Sequence, residues 1–155
     1  MPVQIDAEPS AKLSSNVIEA ANRAEATALL IRAGYRVYRP EADVDGEDLV
    51  LRGPNGELRS VQLKGGPYVE RRRYGGRSIW MLFPDPRGVI PGRDWFLIPH
   101  DTLYERAEEK HGHTAKWSQA WRYPMISADL RTYLEPYCHR HWGQDGVVQD
   151  NVSCP

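Results

Sequence analysis

The stretch GEDLVLRGPNGELRSVQLKG, residues 46–65, constrains the fold more than any other part of the chain. Two short apolar runs flank Pro54-Asn55-Gly56, so the segment reads as a β-hairpin. The turn decides which side chains share a face, because a slip of one residue moves every side chain across the sheet. A two-residue Asn55-Gly56 loop sets Leu49 against Gln62 and Leu51 against Ser60, which mixes polar and apolar residues on one face. A three-residue loop, with Pro54 at the second turn position and Gly56 left-handed, sets Leu49 against Val61 instead. Leu49, Leu51, Val61 and Leu63 then share one face, while Asp48 stands opposite Gln62 on the other, with Lys64 next along. This register sorts the faces and is the one expected. It gathers an acid, an amide and an ammonium, with neighbouring Cβ atoms about 5–8 Å apart. A solvated polar sheet face would look the same from patterning alone.

The rest of the chain frames the hairpin. At 155 residues it is long enough for one domain with a real core. The formal net charge of −1 announces no nucleic-acid partner globally, so any such case rests on local charge. The two cysteines, Cys138 and Cys154, are too few and too clustered for a secreted disulfide scaffold. No basic-then-apolar leader opens the chain and no apolar run approaches ~18 residues, so a cytoplasmic protein is expected.

Residues 14–35 predict a helix, with Ser15 or Asn16 as cap and Gly34 as stop. YRVYRP, EDLVL, RSVQLK, SIWMLFP and DWFLIP predict strands; HDTLYERAEEKHG, with Asp101 as cap, and ISADLRTYLEPY, capped by Ser127, predict helices. The order implies a single α/β domain over 14–142, with a flexible arm at 1–13 and a disordered tail at 143–155.

Along the first helix, Ile18, Ala21, Ala28 and Leu29 suggest an apolar line that Glu25 interrupts. A carboxylate there needs a partner. An arginine, a metal ion or the Lys64 ammonium would each serve.

A helix bearing Glu25, a strand, Asp-Leu-Val-Leu from Asp48, a tight turn and Val-Gln-Leu-Lys ending at Lys64 together resemble the PD-(D/E)xK nuclease superfamily. That superfamily includes restriction endonucleases, Holliday-junction resolvases and group I intron homing endonucleases. The resemblance covers residues 21–65 and extends more weakly to DWFLIPHDTL and ISADLRTYL. It implies a restriction-endonuclease-like mixed sheet flanked by helices and a metal-dependent DNA endonuclease. Asp48 matches the family's strand acid, Lys64 its lysine and Glu25 its helix acid. Gln62 stands where most members carry Asp or Glu, and Glu47 replaces the usual proline. The implied ligands of Mg2+, or of Mn2+, are Asp48, Gln62, the Leu63 carbonyl and Glu25. Lys64 is implied to activate water or steady the charged transition state.

The segment after the hairpin, GGPYVERRRYGGRSIW, supplies the local basic charge. Arg71, Arg72, Arg73 and Arg77 suit phosphates, and Tyr68 and Tyr74 suit stacking on bases. The flanking glycines suggest a mobile loop that closes on DNA; a solvated surface turn is the plainer reading. Cutting two antiparallel strands calls for two sites, and a homodimer or larger symmetric assembly supplies them. Two other readings stay open: a catalytically impaired DNA-binding or regulatory module, and a protein-binding domain in which Glu25, Asp48 and Lys64 form a structural charge network. His111 with His113, and Cys138 with His139 and His141, offer metal-type ligands without the paired spacing of a zinc site. Trp117 and Trp121, four apart, suggest one apolar helix face.

Overall fold

A computed structural model describes residues 13–42, 47–88 and 90–143. The predicted arm and tail fall almost wholly outside the described residues. Helix α1 (Ser15–Arg32) leads into strands β1 (Arg36–Tyr38), β2 (Leu49–Arg52) and β3 (Leu58–Leu63). After β4 (Tyr68–Glu70) and one helical turn, α2 (Arg71–Tyr74), come β5 (Ile79–Pro84) and β6 (Trp95–Pro99). Helix α3 (His100–His111), β7 (Ala120–Arg122) and α4 (Ala128–Leu134) follow, then two 3-10 turns, Glu135–Tyr137 and His139–His141. Five strands form one mixed sheet in the order β1-β2-β3-β5-β6, antiparallel except for the β3–β5 pair. β4 and β7 pair separately as an antiparallel ribbon.

The hairpin register is the expected one: Leu49 faces Val61 and Arg52 faces Leu58. Gly53 N–H donates to the Glu57 carbonyl, leaving Pro54, Asn55 and Gly56 as the loop, with Gly56 at φ +83°. Only a residue without a Cβ adopts that conformation at no cost. The end of α1 also follows its sequence signal. Gly34 is left-handed at φ +96°, and the N–H groups of Gly34 and Tyr35 donate to the carbonyls of Ile31 and Leu30. That pair of bonds closes a Schellman motif. Ser127 caps α4 by accepting from Leu130 N–H at 3.2 Å. The caps of the other two helices differ from expectation. Ser14 precedes α1 with no side-chain bond, and α3 starts at His100, leaving Asp101 inside the first turn.

Each face of the sheet meets its own layer. Leu49, Leu51, Val61, Leu63, Trp80, Leu82, Trp95 and Leu97 pack with Ala26 and Leu30 of α1 and with Trp142. Ile79, Met81, Phe83, Phe96 and Ile98 pack on the opposite face with Leu103 and Ala107 of α3 and with Leu130 and Leu134 of α4. β5 and β6 are therefore buried on both faces, which is why both read as unbroken apolar runs. β2 and β3 are apolar mainly toward α1, and their second face carries the polar Asp48, Ser60, Gln62 and Lys64 with Val50 among them.

Two expectations for α1 and the tryptophans need correction. The buried line of α1 is Asn22, Ala26 and Leu30; Ile18, Ala21 and Ala28 are exposed. In a helix this rich in alanine, apolar residues occur on every side; Ala26 and Leu30 are the ones that enter the core, and Asn22 on the same line accepts at Oδ1 from Arg93 at 2.6 Å. Trp117 and Trp121 do not share a helix: Trp121 lies on β7, and its indole stacks on His111 at 4.2 Å between centroids.

Candidate metal and nucleic-acid site

The hairpin register delivers Asp48, Gln62 and Lys64 to one patch of the sheet. Gln62 Nε2 donates to Asp48 Oδ2 at 2.7 Å, and Leu63 N–H donates to the same oxygen at 2.9 Å. Gln62 Nε2 also reaches the Leu63 carbonyl at 3.3 Å. Gln62 is buried, yet its Oε1 has no hydrogen-bond partner among the described residues. A buried acceptor without a donor is costly, and a cation or a water that it holds would satisfy it. The carboxylate of Asp48, the Leu63 carbonyl and the Gln62 Oε1 are all hard oxygen donors of the kind magnesium and manganese accept. By donor chemistry, these residues fit a divalent ion.

Lys64 stands at the edge of this patch, half-buried, with its Nζ 5.4 Å from the Tyr68 ring centroid and 5.7 Å from that of Tyr74. Burial pushes its pKa below the ordinary lysine value, the Arg73 and Arg122 charges push the same way, and Asp48 and Glu70 oppose them. The shift makes the Lys64 ammonium a readier proton donor than that of a free lysine.

Glu25 does not join them. Its Oε1 accepts from Arg93 Nε at 3.1 Å and from Trp95 Nε1 at 2.9 Å, and its Oε2 accepts from Arg93 Nη2 at 2.8 Å. Trp95 belongs to the layer that packs on α1, whereas Gln62 pairs with Met81, whose side chain enters the α3–α4 layer. The sheet therefore lies between Glu25 and the Asp48–Lys64 patch. Of the three partners the sequence allows for Glu25, the structure supplies arginine. Burial raises the Glu25 pKa, but the bonds from Arg93 and Trp95 outweigh it and hold the carboxyl below the ordinary value.

The segment after the hairpin is also redrawn. It is a strand and a helical turn rather than an open loop, and two neighbouring α3 residues fasten it. His100 Nε2 accepts from Glu70 N–H at 3.0 Å, and Asp101 accepts from Gly76 N–H at 3.1 Å. Tyr74 is fully buried, so it offers no face for a base to stack on. Arg71 lines a cavity with Asp101, Tyr104, Glu105 and Glu108, and it is not among the charges that act on Lys64. Arg72 and Arg77 are exposed, and Arg73 is the member of the run whose charge acts on Lys64. Sequence reading missed Arg122. It comes near only because β7 pairs with β4 and sets Arg122 opposite Tyr68. No local signal marks a pairing across so long a stretch of chain.

A second group of metal-type side chains converges elsewhere. Ligand atoms of Asp94, Cys138 and His139 lie within 4.8 Å of one another. Their bonds disfavour a cation there. Asp94 pairs with both Arg131 and Arg140, and His139 Nδ1 already accepts from Trp95 N–H at 3.1 Å. His141 is not part of this group and pairs with Glu135. No protein-family model, curated protein or solved structure matches the chain.

Proposed function

We propose that the chain is a cytoplasmic, metal-dependent DNA endonuclease of the PD-(D/E)xK type that hydrolyses phosphodiester bonds with Mg2+ or Mn2+. The observation that carries this reading is the convergence of Asp48, Gln62 and Lys64, with the buried Gln62 oxygen left without a donor. Asp48, Gln62 Oε1 and the Leu63 carbonyl would hold the ion. When bound, it would polarise a phosphoryl oxygen and lower the pKa of a water. Asp48 is braced for this role, because Leu63 N–H and Gln62 Nε2 fix the direction of its carboxylate. Lys64 would meet the negative charge that grows on the phosphoryl oxygens, or take the proton of the attacking water. Glu25 has no part in the chemistry, since Arg93 and Trp95 occupy both its oxygens. Cleavage of both DNA strands calls for a homodimer or a larger symmetric assembly.

A second reading has one observation in its favour. With Gln62 neutral and Glu25 across the sheet, Asp48 is the one carboxylate of the expected set left in the patch. A catalytically impaired DNA-binding or regulatory module on the same fold would carry such a site. Nicking of supercoiled plasmid separates the two. The nuclease reading expects nicking in Mg2+ or Mn2+, none in EDTA, and a loss of about 100-fold or more in Asp48→Ala and in Lys64→Ala. Plasmid that is bound but never cut selects the second reading. Cleavage unchanged in both variants contradicts the mechanism.

A further inference from the structure

Two tyrosine rings beside the candidate site are each shared by Lys64 and an arginine. At Tyr68, Lys64 Nζ is 5.4 Å and Arg122 Cζ 5.0 Å from the centroid. At Tyr74, Lys64 Nζ is 5.7 Å and Arg73 Cζ 5.4 Å away. The scaffold under these contacts is well braced. Tyr68 donates its hydroxyl to Glu70 at 2.9 Å, Arg71 N–H donates to the Gln119 carbonyl, and the β4–β7 register holds Arg122 opposite Tyr68.

What sets this corner apart is that two arginines share rings with one lysine; arginines without an ion pair among the described residues, such as Arg36, Arg52 and Arg72, occur elsewhere, but not grouped in this way. Arg23, Arg87, Arg93, Arg106, Arg131 and Arg140 each sit against a carboxylate. Arg73 and Arg122 form no such pair among the described residues. Both press on Lys64 with like charge, and Asp48 and Glu70 are the acids that answer it. Gathering three cations around two acids leaves an excess of positive charge, which is unfavourable in the protein alone and focuses a positive potential on anything negative that enters.

We propose that Arg73 and Arg122 are substrate-positioning residues that grip the backbone phosphates on either side of the one at Lys64, so that a nucleic-acid strand lies along the β4–β7 ribbon. The proposal rests on the nuclease reading and deepens it. It makes the substrate a strand of several phosphates rather than a lone phosphate ester, since three cations grouped around two rings offer contacts to more than one phosphate. It also gives Tyr68 a role other than base stacking: its ring spaces two cations along the strand.

The test is binding of a fluorescent 20-base-pair duplex to the full-length protein in EDTA, read by anisotropy over a range of salt. Arg122→Ala and Arg73→Ala are each expected to weaken binding about 5–10-fold at low salt and to lower the slope of log K against log salt by about one. Arg122→Lys restores the slope, because a phosphate contact needs the charge. Arg52→Ala, at the far end of β2, leaves both affinity and slope unchanged. Circular dichroism melting shows whether each variant is folded; if Arg122→Ala is not, Arg122→Gln takes its place in the same titration. A wild-type slope in folded Arg122 and Arg73 variants overturns the proposal, as does a wild-type protein that binds no duplex. The two readings fail separately. Plasmid nicking with unchanged slopes leaves the nuclease without this rail, and altered slopes without nicking leave the rail on a protein that does not cut.

Discussion

Glu25 shows how one residue can carry two readings until its neighbours are known. A carboxylate on an apolar line of the first helix invites a metal, but Arg93 holds it in a two-bond pair while Trp95 adds a third. Arg93 is 6% exposed and Glu25 is 34% exposed, so the guanidinium is the partner that suffers most if the pair is broken. Glu25→Ala is expected to cost about 2 kcal/mol of stability in urea unfolding, after allowance for the exposure of the carboxylate. Plasmid nicking by the folded variant should stay near wild type. A large loss of nicking with unchanged stability would return Glu25 to the active site. The sequence could not settle this, because Arg93 stands 68 residues away in a Pro- and Gly-rich loop with no regular period. Asp48, Gln62 and Lys64 were legible because one turn determines their alignment.

At the scale of elements, turn and stop signals are legible, the caps of α1 and α3 differ from expectation, and distant pairings leave no mark. The Pro54-Asn55-Gly56 turn, the Gly34 stop and the Ser127 cap each act within a few residues, and each appears where its chemistry demands. β4 and β7 are three residues each and have meaning only as a pair, so neither was visible in the sequence. Their anchorage makes a further prediction. The fully buried His100 accepts Glu70 N–H at Nε2, so its proton sits on Nδ1, which faces Asp101 at 2.9 Å. Asp101, Glu70 and the rings of Tyr74 and Tyr104 surround it. Burial keeps its pKa below the ordinary 6.5, although Asp101 and Glu70 pull it upward. As pH falls below 6.5, the unfolded chain takes up this proton before the folded one does. The stability that neutral His100 contributes is therefore whole above that pH and is lost on acidification toward the folded value. Replacing it by glutamine, which accepts a hydrogen bond without titrating, should flatten the dependence of unfolding free energy on pH between about 7 and 5. A slope equal to that of the wild type would contradict the assignment.

For the molecule as a whole, the uneven covering of the sheet is what makes a site. α3 and α4 cover β5 and β6 on one face, α1 covers the other, and the second face of β2 and β3 is left to polar side chains. A mixed α/β domain follows from the order of elements. That one half of this face packs apolar side chains under α3 and α4 while the other carries half-buried polar groups depends on where those helices settle. No helix among the described residues is long and apolar enough to cross a membrane. The central claim is that this polar half holds a divalent ion through Asp48, with Glu25 on the far side of the sheet. Anomalous scattering from manganese soaked into crystals of the protein tests it most directly. The account predicts a peak ligated by Asp48 together with the Gln62 side-chain oxygen or the Leu63 carbonyl, and no peak at Glu25. A peak held by Glu25, a peak confined to Asp94, Cys138 and His139, or no peak at Asp48 would contradict it.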